Sequence, residues 1–136
     1  MQNIEIARSR LTSDTTLVLA RGCELVESCE RGVRPLLRLV DTGRDVRDFA
    51  AADRVVGRGA AFLYILLGVT ELYASVMSEA AAELLDEHRI RYTYGSLVPR
   101  IVNRTRDGYC PIECAVMNIT EPREALAAIR ERLASL

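Results

Sequence analysis

The sequence predicts an α/β domain: a three-layer sandwich with a mixed β-sheet flanked by helices. Two observations carry that reading. Strand-like segments come first, and helices then alternate with strands toward the carboxyl terminus. The chain has 136 residues, 49% of them apolar, which supports one core but not two. Residues 1–136 therefore read as a single domain, with no internal repeat, low-complexity tract or linker.

The elements follow in order. Residues 3–12 have weak helical spacing through Ile4, Ala7 and Leu11. Thr15–Ala20 is β-branched and apolar, a buried strand, and Cys23–Ser28 follows an Arg-Gly turn as its hairpin partner. Val33–Val40 suits a short helix with Pro35 in its first turn. Asp41–Ala52 is charged and irregular, and reads as a loop. Asp53 then suits the N-cap of a helix running to about Leu67 and ended by Gly68. Its middle, GRGAAFLYILL, is apolar almost all round, so other elements enclose it. Val69–Met77 reads as a strand, Ser78 caps a helix to about His88, and Ile90–Tyr94 is another strand. Val98–Tyr109 is a loop with three arginines, Pro111–Asn118 a short helix or turn. Thr120 and Pro122 open a last helix with Leu126, Ile129 and Leu133 on one stripe.

Composition narrows the chemistry. All 18 basic residues are Arg, which removes Schiff-base, P-loop and kinase-type lysines. His88 is the sole histidine, so no site uses two or three His ligands. A net charge of −1 argues against an extended nucleic-acid partner. The longest nearly continuous apolar run, Gly59–Val69, is roughly half of a membrane span, so no membrane partner is expected. The amino terminus lacks the apolar stretch of a secretory signal, which predicts a mature chain starting near Met1, a cytoplasmic location and reduced cysteines.

Two stretches carry chemistry. In Tyr109-Cys110-Pro111-Ile112-Glu113-Cys114, the proline makes Cys110 an N-cap and places Glu113 at the third helical position. That is the spacing of a capping box, with a thiol in place of a hydroxyl. A helix N-terminus favours the thiolate of Cys110, while Glu113 opposes it. Cys110 and Cys114 alone are too few for zinc. The second stretch is Asp53, Gly57 and Arg58, read as a helix start able to hold an anionic group. Its GRGAA string lies inside the predicted helix, not in a strand-to-helix turn, and so is not a dinucleotide fingerprint. Ser28 sits at a strand end where ligand groups gather, and Asn103 and Arg104 in the arginine loop are further candidates for ligand binding. Each of these residues also has an ordinary structural reading: a cap, a turn or a solvated side chain.

Together, DRVVGRGAAFLYILLGV, LYASVMS, VPRIVNRTRDGYCPIEC and the terminal helix resemble an uncharacterised prokaryotic family, domain of unknown function 1893, over residues 14–132. The resemblance implies a cytidine-deaminase-like fold. Zinc deaminases start one helix with His/Cys-x-Glu and the next with Pro-Cys-x-x-Cys. Here Asp53-Arg54-Val55 and Cys110-Pro111-Ile112-Glu113-Cys114 stand in those places, so neither a metal nor another cofactor carries over. Location does: both helix starts would face one pocket, with Asp53, Gly57, Arg58, Cys110 and Glu113 close together. The implied function is binding of, or action on, a small nucleotide-like or other anionic molecule. Cys110 would be nucleophile or redox-sensitive thiol, with Glu113 or Asp53 as acid or base. The alternatives are a non-catalytic sensor or protein-interaction domain and, last, a zinc deaminase. Deaminase-like folds commonly associate through their helices, which makes a homo-oligomer an expectation.

Overall fold

A computed structural model describes residues 1–103, 105–106 and 108–136. Helix α1 (Asn3–Ser9) precedes the hairpin β1 (Leu17–Arg21) and β2 (Glu24–Ser28), then α2 (Arg34–Thr42) and β3 (Ala50–Val56). There follow α3 (Arg58–Leu67), β4 (Glu71–Ser78), α4 (Glu79–Glu87), β5 (Arg91–Val98), α5 (Pro111–Val116) and α6 (Pro122–Ala134). The five strands form one mixed sheet in the order β2-β1-β3-β4-β5. β1 runs antiparallel to both neighbours, while β3, β4 and β5 are parallel. Helices lie on both faces, the three-layer α/β arrangement read from the sequence. On one face Val18, Ala20 and Ala52 pack against Ala7 of α1. On the other, Leu17, Leu19, Ala51, Leu72 and Ala74 join a large core with residues of α2 to α6.

Two local readings are corrected. Residues 50–52 are not loop and Asp53 is not a helix cap: both belong to β3, and α3 begins only after Gly57. The stretch Ala50-Ala51-Ala52-Asp53-Arg54 has few strand-favouring side chains. It is extended because β1 and β4 pair with it from both sides, a tertiary demand that overrides propensity. Gly57-Arg58-Gly59 therefore does form a strand-to-helix turn. β5 also runs four residues past the expected Tyr94, in register with β4 as far as Val98.

The remaining boundaries follow their local chemistry. Gly68 ends α3 with φ +79°, a left-handed conformation that glycine adopts without strain. Ser78, 1% exposed, caps α4 by accepting a 3.1 Å hydrogen bond from the Ala81 amide. Ser78→Ala should cost about 1–2 kcal/mol in urea unfolding, because the amide at that buried turn loses its acceptor. Among the described residues no helix is long and apolar enough to cross a membrane.

Candidate functional site

Parallel order puts the carboxyl ends of β3, β4 and β5 at one edge of the sheet, and antiparallel pairing brings the end of β2 and the start of β1 to the same edge. Ser28, Leu17, Asp53, Ala74 and Tyr94 form one row across the five strands, just inside that edge. The loop from β5 to α5 returns along it through a Val102–Tyr109 bridge and a 3.1 Å bond from the Cys110 amide to the Ile101 carbonyl.

Glu113 is the centre of the arrangement. It reaches across to α3, where its two carboxylate oxygens accept from the amides of Arg58 (2.6 Å) and Gly59 (2.9 Å). The expected capping box within α5 is thus corrected: Glu113 caps the neighbouring helix, and the Cys110 side chain makes no cap hydrogen bond. Space explains the choice. A methyl group on Gly57 would stand 2.3 Å from the Glu113 carboxylate, and one on Gly59 would stand 2.6 Å from Ile112. Two glycines clear the approach that lets an acid on α5 meet the positive end of α3.

Arg58 answers from the other side. Its guanidinium donates to the Val116 carbonyl (3.3 Å) and the Ile119 carbonyl (2.6 Å), just where α5 ends. The same group lies 5.0 Å from the Phe62 ring centre. Each helix therefore supplies the charge that satisfies the other's unpaired backbone groups. The anion-binding turn expected at Gly57 and Arg58 is already filled by the chain's own carboxylate.

Asp53 lies four residues before Gly57, its carboxyl directed at the same helix. Its Oδ2 accepts from the Tyr64 hydroxyl at 2.6 Å, and its Oδ1 lies 3.4 Å from the Val55 amide. Desolvation pushes Asp53 up to about 6, against the opposing pull of these hydrogen bonds. Tyr64 is fully buried, and that burial, with Asp53 beside it, raises its hydroxyl well above the usual tyrosine range. Tyr64 was absent from the sequence candidates. Its signal was present, since a tyrosine within an otherwise apolar buried helix needs a partner for its hydroxyl.

The other candidates are more dispersed. Cys110 is half-buried at the start of α5 and packs against the core, while Cys114 is exposed. Ser28 accepts from the Glu30 amide at 3.1 Å as part of the turn after β2. Asn103 accepts from the Thr105 hydroxyl (3.2 Å) within the arginine loop, and its amide donates to Gly108 (2.9 Å). Arg104 lies outside the described residues. Arg100 stacks on Tyr109 at 4.6 Å in the same loop. The two helix starts do meet, joining Gly57, Arg58 and Glu113, while Asp53 pairs separately with Tyr64. No three His, Cys, Asp or Glu side chains converge as metal ligands among the described residues. With both Glu113 oxygens held by amides, the described side chains around Cys110 do not fit a deaminase-type zinc cage.

The comparisons agree with this architecture. Residues 7–133 match the family model described as a domain of unknown function, DUF1893. The chain is also similar to the crystal structure of a DUF1893 family protein from Thermotoga maritima, with 23% identity and a TM-score of 0.84. The match covers 100% of this chain and 92% of that one. No curated protein matches the sequence. The chain belongs to the DUF1893 family.

Proposed function

We propose that this DUF1893 domain binds a nucleotide-like small molecule at the carboxyl edge of its sheet, holding the base through Asp53. The single observation behind this reading is the Asp53–Tyr64 pair, a desolvated carboxyl fixed by a buried hydroxyl beside the strand ends. Mixed open sheets take ligands outside the carboxyl ends of their strands. A desolvated carboxylate there meets the amino and ring N–H donors of a nucleobase.

Charge decides which end of the molecule faces Asp53. The α3 amides hold Glu113, and the Arg58 guanidinium is bound to backbone carbonyls. Arg54 is likewise bonded to the carbonyls of Thr12 and Thr15. Among the described residues, a phosphate near Asp53 would therefore meet two carboxylates, with the Arg54 and Arg58 guanidinium groups already bound to carbonyls. The phosphate end belongs instead toward Arg100 in the loop above β5. Gly57 and Arg58 then build the edge without touching the ligand, and Cys110 and Ser28 stand at its rim.

Calorimetric titration with cytidine, adenosine, their 5′-monophosphates and inorganic phosphate tests this. A nucleoside should bind at pH 8 and bind ~tenfold more weakly at pH 5, where Asp53 holds a proton. Inorganic phosphate alone should give no heat. Binding unaltered by Asp53→Asn, or no binding by any nucleoside, would overturn the reading.

A further inference from the structure

The two edges of the sheet differ. β2 is five residues long and carries Glu24 and Glu27, each in an ion pair with an arginine (Arg21 and Arg10). β5 is eight residues long, and six of them, including Thr93 to Leu97 without a break, are exposed. From Tyr92 to Val98 it has no charge, no lysine and no proline, the features with which proteins usually blunt an open edge. Tyr94 and Leu97 are 43% and 41% exposed. Among the described residues β5 has one strand neighbour, β4.

We infer that β5 pairs antiparallel with β5 of a second copy, joining two five-stranded sheets into one. The sequence of the strand suits a second copy as the partner. On an edge strand every second residue turns its N–H and C=O outward, so in a two-fold antiparallel pair residues of like parity must face each other. The axis therefore passes through a residue and not between two. Centred on Tyr94, Arg91 faces Leu97, Tyr92 faces Ser96 and Thr93 faces Gly95, and the two Tyr94 side chains adjoin on the axis. Arg91 is the strand's one charge, and in this register it meets an apolar side chain in place of its own copy. Tyr92 and Tyr94 already stack with ring centres 6.4 Å apart, so the pair assembles four tyrosines on one face. Pairing β5 with β2 of another copy would instead leave a free β2 at one end and a free β5 at the other, each able to take a further copy, and so grow filaments.

Sedimentation velocity across micromolar concentrations supplies the test, with circular dichroism reporting the fold. The wild-type chain should be a dimer, and Tyr94→Glu should raise the dissociation constant ~tenfold or more by setting like charges on the axis. Tyr94→Cys, mildly oxidised and mapped by peptide mass spectrometry, should give a disulfide joining position 94 of the two copies. That readout serves even if the glutamate variant does not fold. A monomer at every concentration, a dimer indifferent to Tyr94→Glu, filaments, or a dimer without the position-94 crosslink would each overturn the inference.

Discussion

Replacing Glu113 with Ala should destabilise the fold by about 2–4 kcal/mol, because two charge-assisted hydrogen bonds to the start of α3 vanish together. In a domain this size that is a large part of the total stability, and the melting temperature should fall by about 10 °C. Glu113→Gln should recover part of the loss, since its amide offers one acceptor but sets a donor against the second helix amide. Gly57 supplies an internal control. Its φ of −98° suits any residue, so the glycine is there for space alone. Gly57→Ala pushes a methyl into the Glu113 carboxylate, which is pinned by both amides and cannot yield cheaply. The substitution should cost about 2 kcal/mol in the wild-type background and almost nothing beside Glu113→Ala. Additive losses in urea unfolding of the four proteins would show that the glycine and the glutamate do not act as one unit.

Asp53→Asn should act in the opposite direction, and only above acid pH. The folded chain holds the Asp53 proton up to about 6, whereas an unfolded chain releases it near 3.8. The native state therefore binds more protons between those values, and stability contributed by Asp53 falls as pH rises through that window. The full shift corresponds to about 3 kcal/mol, and water reaching the exposed part of the residue trims this to about 2 kcal/mol. Asn keeps an acceptor for the Tyr64 hydroxyl and never ionises. The variant should thus be more stable than the wild type by about 2 kcal/mol at pH 8 and equal to it at pH 3.5. Paired urea titrations at the two pH values measure the difference directly, since the other carboxylates cancel. A gap of the same size at both would mean that Asp53 does not titrate in this interval. A carboxylate that weakens the fold at neutral pH is easiest to understand as one kept for contact with something else, which joins this prediction to the nucleoside titration.

How much of this was legible depended on where the information sits. The β1–β2 hairpin, the Pro35 and Pro122 helix starts, the Gly68 stop and the Ser78 cap are local devices, and each was readable from a few adjacent residues. β3 was not, because its alanines and charges become a strand only between two neighbours that lie far away in sequence. Misplacing β3 moved Asp53 from a sheet to a helix cap and hid the turn at Gly57. The spacing of Glu113 behind Cys110 pointed correctly to a capping carboxylate but to the wrong helix. A sequence spacing shows that an acid lies in a first turn; it does not show that a closer, glycine-cleared helix start lies beside it. Gly57, Arg58 and Glu113 were correctly grouped, though they meet as mutual supports.

One face of the sheet has a far smaller core than the other. The seven-residue α1 covers it through Ala7 set against Val18, Ala20 and Ala52, with the partly buried Ile6, Leu11, Leu25 and Tyr73 around them. Arg8 over Tyr73, Arg10 with Glu27, and Arg54 bonded to Thr12 and Thr15 moor the segment from its margins. Helix and sheet therefore separate at a free energy well below that of global unfolding. In deuterated water the amides of α1 should exchange early, while those of β3 and β4 wait for the whole molecule to open. The domain thus has a rigid side and a side that breathes, and the breathing side is one that the Asp53 carboxyl does not face.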